Sequence, residues 1–302
     1  MTCYSPLDAY QLALPNAEGK RPIIFSTNKA KDHRPIKLAC GQCIGCRLEK
    51  SRQWAARCMH EAQLYEDNCF ITLTFNTEEL EKRKNPWSVD VKDFQLFMKR
   101  LRKKYNGQTI RYYHCGEYGE LSNRPHYHAC LFNFNFPDRE LYKYTSQGHA
   151  LYTSNVLSEL WPYGFSTIGE LTFESAAYTA RYVMKKITGK NAEDHYIDQD
   201  GVIIKPEYTT MSRRPGIGMN WIKKYKDDVY PSDVVVVNGT KVKPPRYYDN
   251  KLRDYDPVAF DEIKLERFEN AIKHVDNNTY DRLKVREHIQ NVRLKQLPRN
   301  VD

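Results

Sequence analysis

The sequence predicts an α+β fold, an antiparallel sheet carrying helices, and three observations lead there. Short β-branched and aromatic runs mix with helical periodicity in the order strand, helix, strand, strand, strand, helix. Two of those strands are joined by a loop rich in Gly, Ser and Asn, which marks a hairpin. No internal repeat or low-complexity tract interrupts the pattern.

Residues 1–39 are polar, contain proline and lack clear periodicity, so they read as irregular. From Cys46 to about Glu66 the pattern is helical, with Trp54, Ala55, Cys58, Ala62 and Tyr65 on one stripe and Arg47, Lys50, Arg52 and Arg57 mostly off it. Asn68 breaks that helix, and Cys69–Phe75 reads as a buried strand. Pro86-Trp87-Ser88 opens a second helix. Its Phe94, Phe97, Met98 and Leu101 recur at helical spacing beneath a basic outer face of Lys99, Arg100, Arg102 and Lys103, and Asn106-Gly107 ends it.

Strands Thr109–Glu117 and Pro125–Phe134 form the hairpin; a strand near Phe165–Gly169 leads into a helix from about Glu174 to Ile187. Beyond Gly189 the signal weakens to a polar insertion, a turn at Arg213-Arg214-Pro215-Gly216, a valine strand and Pro244-Pro245. Two charged amphipathic helices fill 257–296. The expected organisation is a cysteine-rich segment and helix over 1–67, an α+β core over 68–190, and a partly helical extension over 191–302.

A chain of 302 residues has ample length for a buried core. Forty-seven Lys and Arg against 38 Asp and Glu leave a charge of +9, which permits a polyanionic partner without proving one. From Glu81 to Lys104 nine residues are basic and three acidic. The 22 Tyr offer stacking surfaces for unpaired bases, although most aromatics fill core and rim positions. MTCYSPLDAYQ lacks the basic start and apolar run of a signal peptide, and no stretch approaches the roughly 18 apolar residues of a membrane span. The expectation is a soluble, cytosolic protein. In a reducing compartment a tight cluster of three of the eight Cys points to metal before disulfides.

The sharpest feature is Arg124-Pro125-His126-Tyr127-His128. Residues two apart in a strand project together, so His126 and His128 make a natural ligand pair for a divalent ion. The hairpin brings Glu117 back alongside them as a completing carboxylate; Glu120, in the turn, is the poorer candidate. Taken alone, the pair fits two histidines on a solvated strand equally well. A second feature shifts that balance. Tyr178, Tyr182 and Lys185 share one face of the predicted helix. A free phenol has a pKa near 10 and needs a metal-polarised phosphate and a nearby cation to act as a nucleophile.

These motifs, in the order Phe70–Thr74 strand, His126-Tyr127-His128, then a helix bearing Tyr178, Tyr182 and Lys185, resemble the HUH endonucleases and their two-tyrosine branch. Cys40-Gly-Gln-Cys43-Ile-Gly-Cys46, Arg213-Arg214-Pro215-Gly216-Ile217-Gly218 and Pro245-Arg246-Tyr247-Tyr248 extend the likeness to replication initiators of gokushovirus-like microviruses, which are single-stranded DNA phages. The resemblance covers roughly residues 40 to 250. It implies a core similar to RNA-recognition folds, with Mg²⁺ or Mn²⁺ on His126, His128 and Glu117. It implies attack by Tyr182 or Tyr178 on single-stranded DNA at a phage origin, leaving a 5′-phosphotyrosine and a 3′-hydroxyl. The Tyr-x-x-Lys spacing of the single-tyrosine branch favours Tyr182, with Lys185 as its cation. Host helicase and polymerase would be partners, and the host cytoplasm the location.

Three thiolates at Cys40, Cys43 and Cys46 can wrap one ion, with Cys3 or Cys58 as a fourth ligand for structural Zn²⁺; reduced structural cysteines are the plain alternative. Cys69, Cys115 and Cys130 lie in predicted strands and read as small buried side chains. Arg124 and Lys186 adjoin the expected site, and Arg213 and Arg214 are further candidates to meet phosphates. Two rivals remain: an HUH transposase or relaxase, and a non-catalytic zinc-containing DNA-binding protein.

Overall fold

A computed structural model describes residues 3–17, 21–26, 32–119, 122–185, 195–198, 201–237 and 239–296, with the side chains of 182–185 excepted. The chain divides into two compact units, Met1–Lys50 with Lys264–Arg299, and Ser51–Ile263 with Asn300–Asp302.

In the first unit β1 (Leu7–Leu12) pairs antiparallel with both β2 (Ile23–Ile24) and β3 (His33–Leu38). The expectation of an irregular segment over 1–39 is therefore corrected. Ala9 is the one buried residue in these three strands, so no hydrophobic alternation marks them in the sequence. The same unit holds the start of α1 (Ile44–Ala62), the last part of α8 (Pro257–Ile272) and α9 (Tyr280–Gln296).

The second unit is built on a seven-stranded antiparallel sheet. Its strands are β4 (Asn68–Leu73), β5 (Arg111–Tyr118), β6 (Pro125–Phe132), β7 (Glu140–Tyr144), β8 (Ala150–Thr153), β9 (Ser166–Gly169) and β10 (Tyr208–Met211), in the order β10-β5-β6-β4-β9-β8-β7. Helices α2 (Thr77–Glu81), α3 (Val91–Lys104), α4 (Asn155–Leu160) and α5 (Phe173–Lys185) intervene. Beyond β10 come α6 (Met219–Val229), the hairpin β11 (Val235–Val237) and β12 (Thr240–Val242), and α7 (Arg246–Tyr255).

Alternation on β6 assigns the faces. Tyr127, Ala129 and Leu131 pack with Phe94, Phe97, Met98 and Leu101 of α3 and Leu157 and Leu160 of α4. Cys130 and Phe132 pack with Ala55, Cys58 and Ala62 of α1 and Ala176 and Ala180 of α5. The predicted stripes on both helices are thus the buried ones. Cys69, Cys115 and Cys130 are fully buried, as expected. The basic face of α3 lies across the sheet from Cys130, and two of its arginines serve the fold: Arg100 Nε donates to the Leu160 carbonyl at 2.9 Å, and Arg102 Nη2 to that of Ile110 at 2.9 Å.

A buried latch holds the segment after β10. Glu61 of α1, 1% exposed, pairs with Arg111, and its Oε2 accepts from the Gly218 amide at 2.7 Å. Arg111 also donates to the Pro215 carbonyl at 2.8 Å, and Arg57 to that of Ile217 at 3.0 Å. A Cβ on Gly216 would meet the Tyr247 hydroxyl at 2.5 Å, and one on Gly218, at φ +76°, the Tyr248 hydroxyl at 2.5 Å. The Arg-Arg-Pro-Gly and Pro-Arg-Tyr-Tyr motifs are therefore two halves of one packing contact.

His60 lies beneath this latch, stacked on Trp221 at 3.7 Å with Nδ1 2.9 Å from the Tyr248 hydroxyl. Burial pushes its imidazole down to about 4. The unfolded chain then binds a proton between about pH 6.5 and 4 that the folded chain refuses, so stability falls as pH falls through that window. The loss attributable to His60 is about 3 kcal/mol. Urea denaturation of wild type and His60→Phe at pH 7 and pH 4.5 is expected to show a smaller acid loss in the variant. Equal losses in both would exclude His60 as the source.

Candidate active site

His126 and His128 leave the same face of β6. Register supplies their neighbours: β5 sets Glu117 directly opposite His126, and β4 sets Thr72 opposite His128. Glu117 Oε1 lies 2.6 Å from His126 Nε2 and 2.8 Å from His128 Nε2. The outer ring nitrogens are also held. His126 Nδ1 donates to the Arg124 carbonyl at 3.1 Å, and His128 Nδ1 sits 3.0 Å from Thr72 Oγ1.

This geometry calls for a cation. A neutral imidazole that donates from Nδ1 carries a lone pair on Nε2. On His126 that lone pair faces a carboxylate oxygen at 2.6 Å, which is stable only with a proton or metal ion between them. Burial opposes ionisation of Glu117, but His128 and the contacts from both imidazoles outweigh it and hold the carboxyl below its usual value. Glu117 Oε2 is buried and has no hydrogen-bond partner among the described residues. One carboxylate and two imidazoles, with an orphaned oxygen and mutually close donor atoms, fit a divalent ion.

The tyrosine helix reaches the same spot. Thr172 and Ser175 cap α5 reciprocally: Thr172 Oγ1 accepts from the Ser175 amide at 3.2 Å and Ser175 Oγ from the Thr172 amide at 2.9 Å. Ala176 and Ala180 anchor the helix in the core, leaving Tyr178 half-buried at its rim. The Tyr178 hydroxyl lies 3.4 Å from Glu117 Oε1, and its ring meets His128 edge-on with centroids 5.1 Å apart. Tyr182 and Lys185 continue α5, but their side chains fall outside the described residues, as do Lys186 and Glu120 altogether.

A groove of about 480 Å³ opens beside the histidines, lined by Thr72, Arg124, Lys143, Gln147, His149 and Thr167 among others. Arg124 donates to Thr77 Oγ1 at 2.9 Å at its edge. Arg213 and Arg214 are not brought here. β10 sets Tyr208 opposite Gly116 and Met211 opposite Tyr113, so the chain leaves toward the far end of β5. They stand roughly 20 Å from Glu117 at about 3.4 Å per residue. There, exposed, they line a shallow cleft with Arg102.

Two contributors escaped the sequence reading. Thr72 sits in a strand whose alternation already set it on the face of Phe70, yet nothing local tied it to His128. Lys143 and His149 come from the β7–β8 hairpin, which short, polar strands concealed.

The four sulfurs of Cys3, Cys40, Cys43 and Cys46 lie within 4.8 Å of one another in the first unit, forming a second group able to hold a metal ion. Cys58 is buried with the sheet core instead. Among the described residues no helix is long and apolar enough to cross a membrane.

The family model of replication-associated protein ORF2 matches residues 68–187, the stretch that contains the sheet core, both histidines, Glu117 and α5. The replication-associated protein VP4 of Bdellovibrio phage phiMH2K is 34% identical over 284 residues, covering 90% of this chain and 84% of its own length. The replication-associated protein ORF2 of Spiroplasma virus 4 is 35% identical over 242 residues, covering 76% and 72% respectively. The replication-associated protein ORF4 of Chlamydia phage 1 is 28% identical over 224 residues, covering 72% of this chain and 53% of its own. No solved structure matches the chain. Likeness that runs through nearly the whole of a relative, and not its catalytic-looking core alone, places this chain in the family of phage replication-associated proteins.

Proposed function

We propose that the chain initiates rolling-circle replication by nicking and rejoining single-stranded DNA at a phage origin through a 5′-phosphotyrosine. The observation that carries this reading is the meeting of Glu117, His126 and His128 with the Tyr178 hydroxyl, 3.4 Å from Glu117 Oε1, beside an open groove. Glu117, His126 and His128 would hold Mg²⁺ or Mn²⁺, which when bound polarises the scissile phosphate. A tyrosine of α5, Tyr178 or Tyr182, bonds to phosphorus as the bond to the 3′ oxygen breaks. The phenol gives up its proton and the 3′ oxygen leaves as a hydroxyl. Lys185 stabilises charge on the phenol or leaving oxygen, and Arg124 and Lys186 contact flanking phosphates.

The phosphoester stored on tyrosine makes rejoining independent of ATP. With two tyrosines, one holds the 5′ end while the other cuts after a full turn of synthesis. Host polymerase and helicase would extend the 3′ end and unwind the template in the bacterial cytoplasm. Arg213 and Arg214, far along the sheet, would meet DNA away from the cut. The relatives' names favour this role over that of a transposase or relaxase.

The test is a denaturing gel of purified protein with origin-bearing single-stranded DNA and Mn²⁺. A covalent adduct that forms with Mn²⁺ and disappears with EDTA is expected. Tight binding by folded protein with no adduct would overturn the nuclease reading in favour of a non-catalytic DNA-binding protein.

A further inference from the structure

The cysteine group has the dimensions of a mononuclear site. Sγ separations are 3.6 Å for Cys3–Cys40, 3.9 Å for Cys3–Cys43 and 4.0 Å for Cys40–Cys46. Four thiolates at about 2.3 Å from one tetrahedral ion stand about 3.8 Å apart, because a tetrahedron's edge is about 1.63 times its centre-to-corner distance. A disulfide needs about 2.05 Å, and here Cys3 and Cys40 each have two sulfur neighbours at similar range, so no pairing is singled out. An iron–sulfur cluster places its cysteines on different iron atoms and spreads their sulfurs wider than the 4.8 Å that contains all four.

The backbone is arranged around the sulfurs. Amides of Tyr4, Cys40 and Cys43 each point at a sulfur at 3.3 Å, on Cys43, Cys3 and Cys40 respectively. Such donors offset the negative charge of thiolates that share an ion. Gly41, at φ +76°, makes the left-handed turn that brings Cys43 back to Cys40. Cys46 lies in the first turn of α1, and the Cys43 carbonyl accepts the amide of Arg47 at 3.0 Å as that helix begins.

The surrounding sheet gives the site a reason to exist. β1, β2 and β3 bury only Ala9 among them, too little apolar surface to hold a three-stranded sheet in water. Cys3 precedes the sheet and Cys40 follows it, so an ion shared with Cys43 and Cys46 closes the sheet into a loop fixed to the start of α1.

We propose that Cys3, Cys40, Cys43 and Cys46 form a closed structural Zn²⁺ site that staples the N-terminal sheet to α1, independent of the nicking reading. Full-length protein purified with reductant and dialysed is expected to carry one zinc per chain by elemental analysis. The Cys40→Ser/Cys43→Ser protein is expected to carry less than a tenth of that, and Cys58→Ser to keep it. Should the double variant not fold, wild type grown with Co²⁺ provides the second measurement: the visible spectrum of a tetrahedral tetrathiolate is expected. Stripping zinc with a mercurial is expected to speed proteolysis within residues 3–38 at least tenfold. Wild-type protein that is folded, metal-free and has these four thiols titrating freely would overturn the proposal. So would stoichiometric iron in place of zinc, or zinc retained in a folded double variant.

Discussion

Replacing Tyr178 and Tyr182 together by Phe is expected to reduce the covalent protein–DNA adduct at least about a thousandfold, the scale on which removal of a nucleophile acts. Phe keeps both rings and removes only the oxygens, so the T-shaped contact with His128 at 5.1 Å is retained and folding is spared. Each single variant keeps one phenol and is expected to form an adduct on a linear origin strand while losing closed-circle product. Relative rates then order the two. The Tyr-x-x-Lys spacing favours Tyr182, whereas proximity to Glu117 favours Tyr178. An adduct undiminished in the double variant would mean that the nucleophile lies elsewhere.

Glu117→Gln is expected to lower metal-dependent nicking by a similar factor, about a thousandfold, for a different reason. It removes the anionic oxygen that both Nε2 atoms approach and leaves an amide that cannot neutralise a cation. Binding of Mn²⁺, read by calorimetry, is expected to weaken in parallel. Thr72→Val supplies a graded control: losing the hydroxyl 3.0 Å from His128 Nδ1 frees that ring's orientation, and an effect of about ten- to a hundredfold on metal affinity is expected. Unchanged Mn²⁺ affinity in Glu117→Gln would show that these three residues are not the ligands.

Features set by local spacing could be read from the sequence. His126 and His128 share a face because strands alternate, and Glu117 meets them because one hairpin has one register. Tyr178 reaches them because the helix after β9 crosses the same face. Features set by distant pairing could not. β10, only four residues long, adds to β5 from about ninety residues away, and its Tyr-Thr-Thr-Met carries no alternation. The N-terminal sheet hid behind the same poverty of buried residues. Arg213 and Arg214 drew attention by charge, yet the neighbouring Gly216 and Gly218 shape the segment, through a close approach of Tyr247 and Tyr248 that only the folded chain reveals.

The register that joins Glu117 to the histidines also sets an order of assembly. Contacts from Glu117 to His126 and His128 span nine and 11 residues, whereas the contact from Tyr178 to Glu117 spans 61. Closing the longer loop costs about 1.5 kcal/mol more in chain entropy, since that cost grows as three-halves of RT times the logarithm of loop length. The ribbon that holds a cation is thus the easier part to form, and the nucleophile's helix docks onto it later. During synthesis, the same sequence order keeps the phenols absent until the ligands are paired.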